Sequence, residues 1–155
     1  MIDDLLDIAK FLAERDRGRP RQASLRRAVS SAYSALFHSV AERRARMLIT
    51  YSGEGSDWET YALVYRTLDH ATAKRVFQQD PNRSLFGPSV TQVGAIFVRV
   101  QDARIVADYD PRPFAFARRD VVELIAQARE ASVLMSELSN EHARRLAAHL
   151  IARRR

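Results

Sequence analysis

The 155-residue chain contains no cysteine. That absence excludes disulfide frameworks, thiol nucleophiles and cysteine-based zinc sites. It leaves the redox compartment open, with the cytoplasm as the default expectation. Lysine is scarce as well, with Lys10 and Lys74 the only two. No apolar run approaches the roughly 18 residues of a membrane span. The opening MIDDLLDIAKFLAE is acidic and amphipathic, unlike a secretory signal or a transit peptide. Gly53-Glu54-Gly55 lacks the length and the lysine of a P-loop, and no nucleophile elbow or Ser/His/Asp arrangement is visible. The histidines His38, His70, His142 and His149 have no metal-ligand spacing with one another or with carboxylates. No short recognition helix of the helix-turn-helix type stands out. Neither a metal nor a cofactor is expected.

What is abundant is arginine. The net charge is +6 and the pI about 10.3, which makes a polyanion such as nucleic acid an expected class of partner. Arginine suits planar, bidentate contact with phosphate. The excess is spread along the whole chain, so a genome that writes arginine for lysine explains it equally well. The clearest clusters are Arg15, Arg17, Arg19 and Arg21, and the tail Arg153, Arg154 and Arg155.

With 46% apolar and 28% charged residues, the composition fits one globular domain over residues 1–155, ending in a basic tail at about 152–155. Hydrophobic periodicity is helical almost throughout, and no strand-like alternation appears. A first helix is expected over about Asp3 to Glu14, stopped by Gly18 and Pro20. A second, long one covers about Arg21 to Ile49, and Tyr51 to Asp57 form a turn. Ser56 and Glu59 make a capping box for a third helix through Tyr65 and Leu68, continuing or kinking toward Phe77. After a loop at Pro81, Asn82, Gly87 and Pro88, a fourth runs from about Ser89 to Tyr109, ended by Pro111 and Pro113. A fifth covers about Arg118 to Leu138, and Asn140 caps a terminal helix. The expected fold is an all-α, single-domain bundle of five or six helices.

Two helices carry features beyond packing. On the second, Leu25, Val29, Ala32, Tyr33, Leu36 and Val40 form an apolar stripe. Opposite it lie Arg27, Ser31, Ser34, His38 and Glu42, a polar stripe with few charges. It reads either as the lining of a site or interface, or as a mild exposed face. On the fourth helix Arg104 follows Phe97 by seven residues, about 20° away on the helical wheel, so it sits on the apolar side. Asp108, one turn later, is its expected partner. That pair is either structural, closing the end of the bundle and holding Tyr109, or a phosphate-binding arginine held by its carboxylate. Trp58 reads as a packing anchor.

The segment SSAYSALFHSV on the second helix resembles the second-helix signature of the HEPN superfamily, and RIVADY on the fourth resembles an arginine-plus-DY segment of small bacterial HEPN proteins. The two motifs cover about a ninth of the chain. The resemblance implies a helical bundle that dimerises. It also implies a bacterial, RNA-associated protein of toxin–antitoxin or defence type, with a cognate antitoxin or nucleotidyltransferase as partner. Many members are metal-independent endoribonucleases, whose motif is an arginine, four to six residues, then a histidine; others are inactive modules that bind a protein or a nucleotide. Arg104 matches the arginine, and Tyr109 stands at the first position open to the histidine. A phenol is a poor general base at neutral pH, so His38 is the expected source of the imidazole. On this reading the catalytic group is Arg104, Asp108, Tyr109 and His38, with Arg27, Ser31 and Ser34 on the RNA backbone. A literal match to the spacing also occurs at Arg144 and His149, a second candidate site in the terminal helix.

Overall fold

A computed structural model describes residues 1–49, 57–78 and 86–152. Among them every regular element is a helix: α1 (Ile2–Glu14), α2 (Gln22–Leu48), α3 (Trp58–Arg66), α4 (His70–Gln78), α5 (Pro88–Tyr109), α6 (Arg118–Glu137) and α7 (Asn140–Ile151). The expected all-α architecture is what forms, with seven helices described rather than five or six. The expected turn at Tyr51 to Ser56, the loop residues Pro81 and Asn82, and the tail from Arg153 lie outside the described residues.

The count rises because the third expected helix divides. Thr67 closes α3 with its backbone N–H and its hydroxyl both on Val64 O (3.1 and 2.7 Å). Asp69 then caps α4 through Thr72 N–H (2.8 Å), satisfying a donor that a continuous helix would have used internally. Buried Leu68 pins the turn between them. Two expected caps also differ. Asp57 is the N-cap of α3 and makes no side-chain cap bond. At α7 the cap is Ser139, whose hydroxyl accepts the His142 N–H at 3.2 Å, and Asn140 is the first helical residue. Serine wins there because the N-cap backbone is extended, which leaves its short side chain facing the second and third amides.

α2 is the central element and packs against α1, α3, α5, α6 and α7. Leu25, Val29, Ala32, Tyr33, Leu36 and Val40 are all buried, as its apolar stripe requires. Phe97, fully buried on α5, fills the space between Tyr33 and Phe77. Burying a side chain of that size contributes roughly 1.5–3 kcal/mol. α5 begins at Gly87, with φ +81, followed by Pro88 at its first position. A Cβ at Gly87 would meet the His142 ring at 2.7 Å, so this position needs glycine both for its left-handed backbone and for the close approach of α7.

Much of the arginine is structural. Arg26 on α2 reaches the end of α5 and donates to Val106 O (3.1 Å), Ala107 O (2.8 Å), Asp110 O (2.9 Å) and Arg112 O (2.6 Å), with its guanidinium against the Phe114 ring. Arg44, 2% exposed, donates to Val64 O and Thr67 Oγ1 at the end of α3. Arg43 donates to Leu138 O and Asn140 Oδ1 past the end of α6, and Arg118 donates to Asp16 O and Gly18 O beyond α1. A helix C-terminus presents unpaired carbonyls and negative dipole charge, and a guanidinium fork answers both. These four arginines therefore hold helix ends, which removes them from any argument that the positive charge awaits a polyanion.

Candidate functional site

α2 and α5 lie side by side, and their contact joins the two segments singled out in the sequence. Arg104 Nε lies 2.6 Å from Asp108 Oδ2, and both side chains are about three-quarters covered. The other carboxylate oxygen of Asp108 accepts the Ser30 hydroxyl from α2. With one oxygen on the guanidinium and the other on the serine, the carboxylate is fixed, and it fixes the arginine in turn. The guanidinium also sits between two aromatic rings, its carbon 5.7 Å from the Tyr33 centroid and 5.2 Å from that of Tyr109. Ring faces are negative, so this sandwich keeps a partly covered cation in place. Tyr109 itself is 68% exposed. Its hydroxyl lies 3.5 Å from an Arg104 terminal nitrogen, at the outer edge of hydrogen bonding.

Helix packing adds a group that sequence spacing does not reveal. His70, the first residue of α4, is exposed, and its Nδ1 lies 2.8 Å from the Tyr33 hydroxyl. Its ring packs on Phe37, centroids 4.2 Å apart. Partial burial and the nearby Arg104 charge push the His70 pKa below its ordinary value, with Asp69 opposing. The imidazole is thus held neutral near pH 7. Tyr33 stands between it and Arg104. Burial pushes the Tyr33 phenol well above its usual range, so its hydroxyl keeps its proton.

His38 is placed differently. Two turns along α2 from Ser30, its Nδ1 lies 2.6 Å from the Tyr65 hydroxyl and its ring stacks on that of Tyr65. Burial and the neighbouring His70 lower its pKa. It belongs to the same aromatic row, Tyr33, Phe37, His70, His38 and Tyr65, at the end away from Arg104. Ser34 is half-buried and donates to Ser30 O (2.9 Å). Arg27 is exposed and Ser31 half-buried, and neither side chain has a hydrogen-bond partner among the described residues.

Arg144 and His149 are both exposed on α7. Five residues at 100° each leave them about 140° apart around the helix, and His149 rests edge-on against Phe86 (5.0 Å). Geometry does not bring this pair together. Among the described residues, no three His, Asp or Glu side chains are grouped to hold a metal ion, and no helix is long and apolar enough to cross a membrane.

Ser30, Tyr33 and His70 are the site residues that sequence reasoning passed over. Ser30 had a signal: it follows Arg26 by four residues, and both side chains reach α5. Tyr33 read as core, which its ring is, and nothing in the sequence announced the task of its hydroxyl. His70 had no signal, since 34 residues separate it from Arg104. Comparison with protein-family models, with curated proteins and with solved structures gave no match. The likeness to HEPN proteins therefore rests on the two segments that this site joins.

Proposed function

We propose that this chain is a HEPN-like, RNA-associated bacterial protein of toxin–antitoxin or defence type, and that the Arg104 cluster cleaves RNA without a metal. The observation that carries this reading is the joining of the two motif segments through Ser30 and Asp108 onto one sandwiched guanidinium. A cation held this firmly is ready for charge that develops on a phosphorane, with no reorganisation at the moment of reaction. His70 is the nearest imidazole by way of Tyr33. With Nδ1 taken by Tyr33, Nε2 is the nitrogen left to exchange a proton with a ribose hydroxyl or a leaving oxygen. Tyr109, exposed beside the guanidinium, orients the phosphate, and Arg27 and Ser34 line the approach along α2. A homodimer would bring two copies of Arg104 into one basic cleft.

The test is incubation of total RNA with the purified protein in EDTA, beside Arg104→Ala. Cleavage by the native protein that disappears in the variant supports the reading. Cleavage that survives it would remove Arg104 from the chemistry and point to a contaminant.

One observation favours a second reading. The Asp108 carboxylate already neutralises Arg104 and is itself fully engaged, so the cluster also makes sense as a clasp between α2 and α5. On that reading the protein is a catalytically silent module that binds a partner protein, such as a cognate antitoxin or nucleotidyltransferase, or a nucleotide. Absence of cleavage in both proteins, with a partner recovered on native Tyr109 but lost on Tyr109→Ala, would select it.

A further inference from the structure

We propose that the cleft between α2 and α3 is a nucleobase pocket that takes one unstacked base of single-stranded RNA. It deepens, and rests on, the RNA reading above, but it concerns a different place in the fold. The cleft has a volume of about 420 Å³, within the usual range for small-ligand sites. One wall is the α3 face carrying Trp58, Tyr61 and Tyr65, at spacings i, i+3 and i+7. Their rings form a row, Trp58 stacked on Tyr61 at 5.6 Å and Tyr61 beside Tyr65 at 5.9 Å. The other wall is α2, which brings His38 parallel to Tyr65 within 16°. Their mutual hydrogen bond fixes both rings. Burial holds the Tyr65 phenol up at about 12 and the His38 imidazole below its ordinary value, so both present uncharged π faces at neutral pH.

The polar groups decide which flat or cationic ligand the aromatics would take. An aromatic cage closed by a free carboxylate would suit a quaternary ammonium. Here Glu42, the carboxylate of the cleft, is held by Arg46 through Nε and Nη2 (2.9 and 2.7 Å), and Arg66 also lines the cleft. With two guanidiniums to one carboxylate, a cation is disfavoured and an aromatic ring bearing a phosphate is favoured. Glu42 remains able to accept from an exocyclic amine on the base edge. Stacking of a base on such rings is tolerant of sequence, because every base has a π face. His38 and Ser30 are eight residues apart on α2, about 12 Å along its axis. A strand whose base occupies the cleft can therefore lay a phosphate a few nucleotides away on Arg104.

Trp58 is the only tryptophan and lines this cleft, so its indole N–H gives the single indole resonance of a ¹H–¹⁵N spectrum. The experiment is titration of the ¹⁵N-labelled full chain with each of the four nucleoside monophosphates, with ribose 5-phosphate and choline as controls. A saturable shift of the Trp58 indole with at least one nucleotide, and none with either control, is expected. Ala62→Leu, which fills the cleft from a half-buried helix position, should weaken that binding at least tenfold while the rest of the spectrum stays native. Arg104→Ala should leave it unchanged. No saturable shift with any nucleotide, an equal response to ribose 5-phosphate or choline, or native affinity in Ala62→Leu would overturn the proposal. Nucleotide binding without any RNA cleavage would keep the pocket and defeat the ribonuclease reading, so the two fail separately.

Discussion

The Tyr33 hydroxyl lies 2.8 Å from Nδ1 of His70, although the two are 37 residues apart and on helices that a divided segment brings together. Because the Tyr33 ring also faces Arg104, this bond couples an imidazole to the guanidinium chosen from the sequence. Loss of the imidazole should matter to cleavage and little to folding. His70→Ala should reduce RNA cleavage about 10²-fold or more, the usual scale for a general acid or base, with the circular-dichroism spectrum unchanged. Arg104→Ala should cost about 10²–10³-fold. His38→Ala, at the far end of the aromatic row, separates the two histidines: undiminished cleavage in that variant would assign the chemistry to His70.

Protonation of the same histidines should weaken the fold in mild acid. Both pKa values are lowered in the folded state, mainly by burial. Each therefore binds its proton less readily when folded than when unfolded, where the ordinary value is about 6.5. Stability is full above about pH 6.5 and falls as pH drops below it. The carboxylates of Asp16, Asp69 and Asp110 are held below their ordinary range near 3.8 by hydrogen bonds and neighbouring arginines, so they titrate beneath this window. Thermal midpoints between pH 7 and 5 should decline, and a His38→Gln, His70→Gln double variant should flatten that decline. An equally steep decline in the variant would contradict this account.

Arg26 should be among the least replaceable surface-reaching residues. Its guanidinium serves carbonyls of Val106, Ala107, Asp110 and Arg112. Arg26→Met keeps the stem; Val106 O retains the Asp110 N–H (3.2 Å), while the Ala107, Asp110 and Arg112 carbonyls lose their arginine donor, a loss of about 2–4 kcal/mol. Urea unfolding would measure it. Arg27→Met, one residue on and exposed, should change stability by less than about 0.5 kcal/mol.

Gly87→Ala tests the entry to α5. The left-handed backbone and the His142 ring both resist a Cβ there. The expected cost is about 1–3 kcal/mol, visible as a lowered thermal midpoint. His142→Ala in the same chain should recover part of it, by removing the ring and leaving only the backbone strain.

The helical class, the long second helix and its buried stripe were legible in the sequence, because apolar residues at helical spacing have one way to be covered. The start and stop of α5 were legible for a similar local reason, in Gly87 before it, Pro88 at its first position, and Pro111 and Pro113 after it. The division of the third helix was harder to read. Thr67, Leu68 and Asp69 are each compatible with a helix, and only the Asp69 cap and the burial of Leu68 make the turn the better state. The terminal-helix cap shifted from Asn140 to Ser139 because both are good cap residues and backbone geometry chose between them.

The sequence by itself determined the Arg104–Asp108 pair, since four residues on one helix place two side chains on the same face whatever surrounds them. Tertiary structure decided the rest of the site. Ser30 meets Asp108 because α2 and α5 pack together, and His70 meets Tyr33 because the chain turns between α3 and α4. It also decided what the arginines are for. Composition shows only a positive charge, whereas packing puts Arg26, Arg43, Arg44 and Arg118 on carbonyls at or beyond helix ends. Contacts within one helix follow from its period, and contacts between helices follow from which faces must be buried together. Only the folded chain carries that second kind of information.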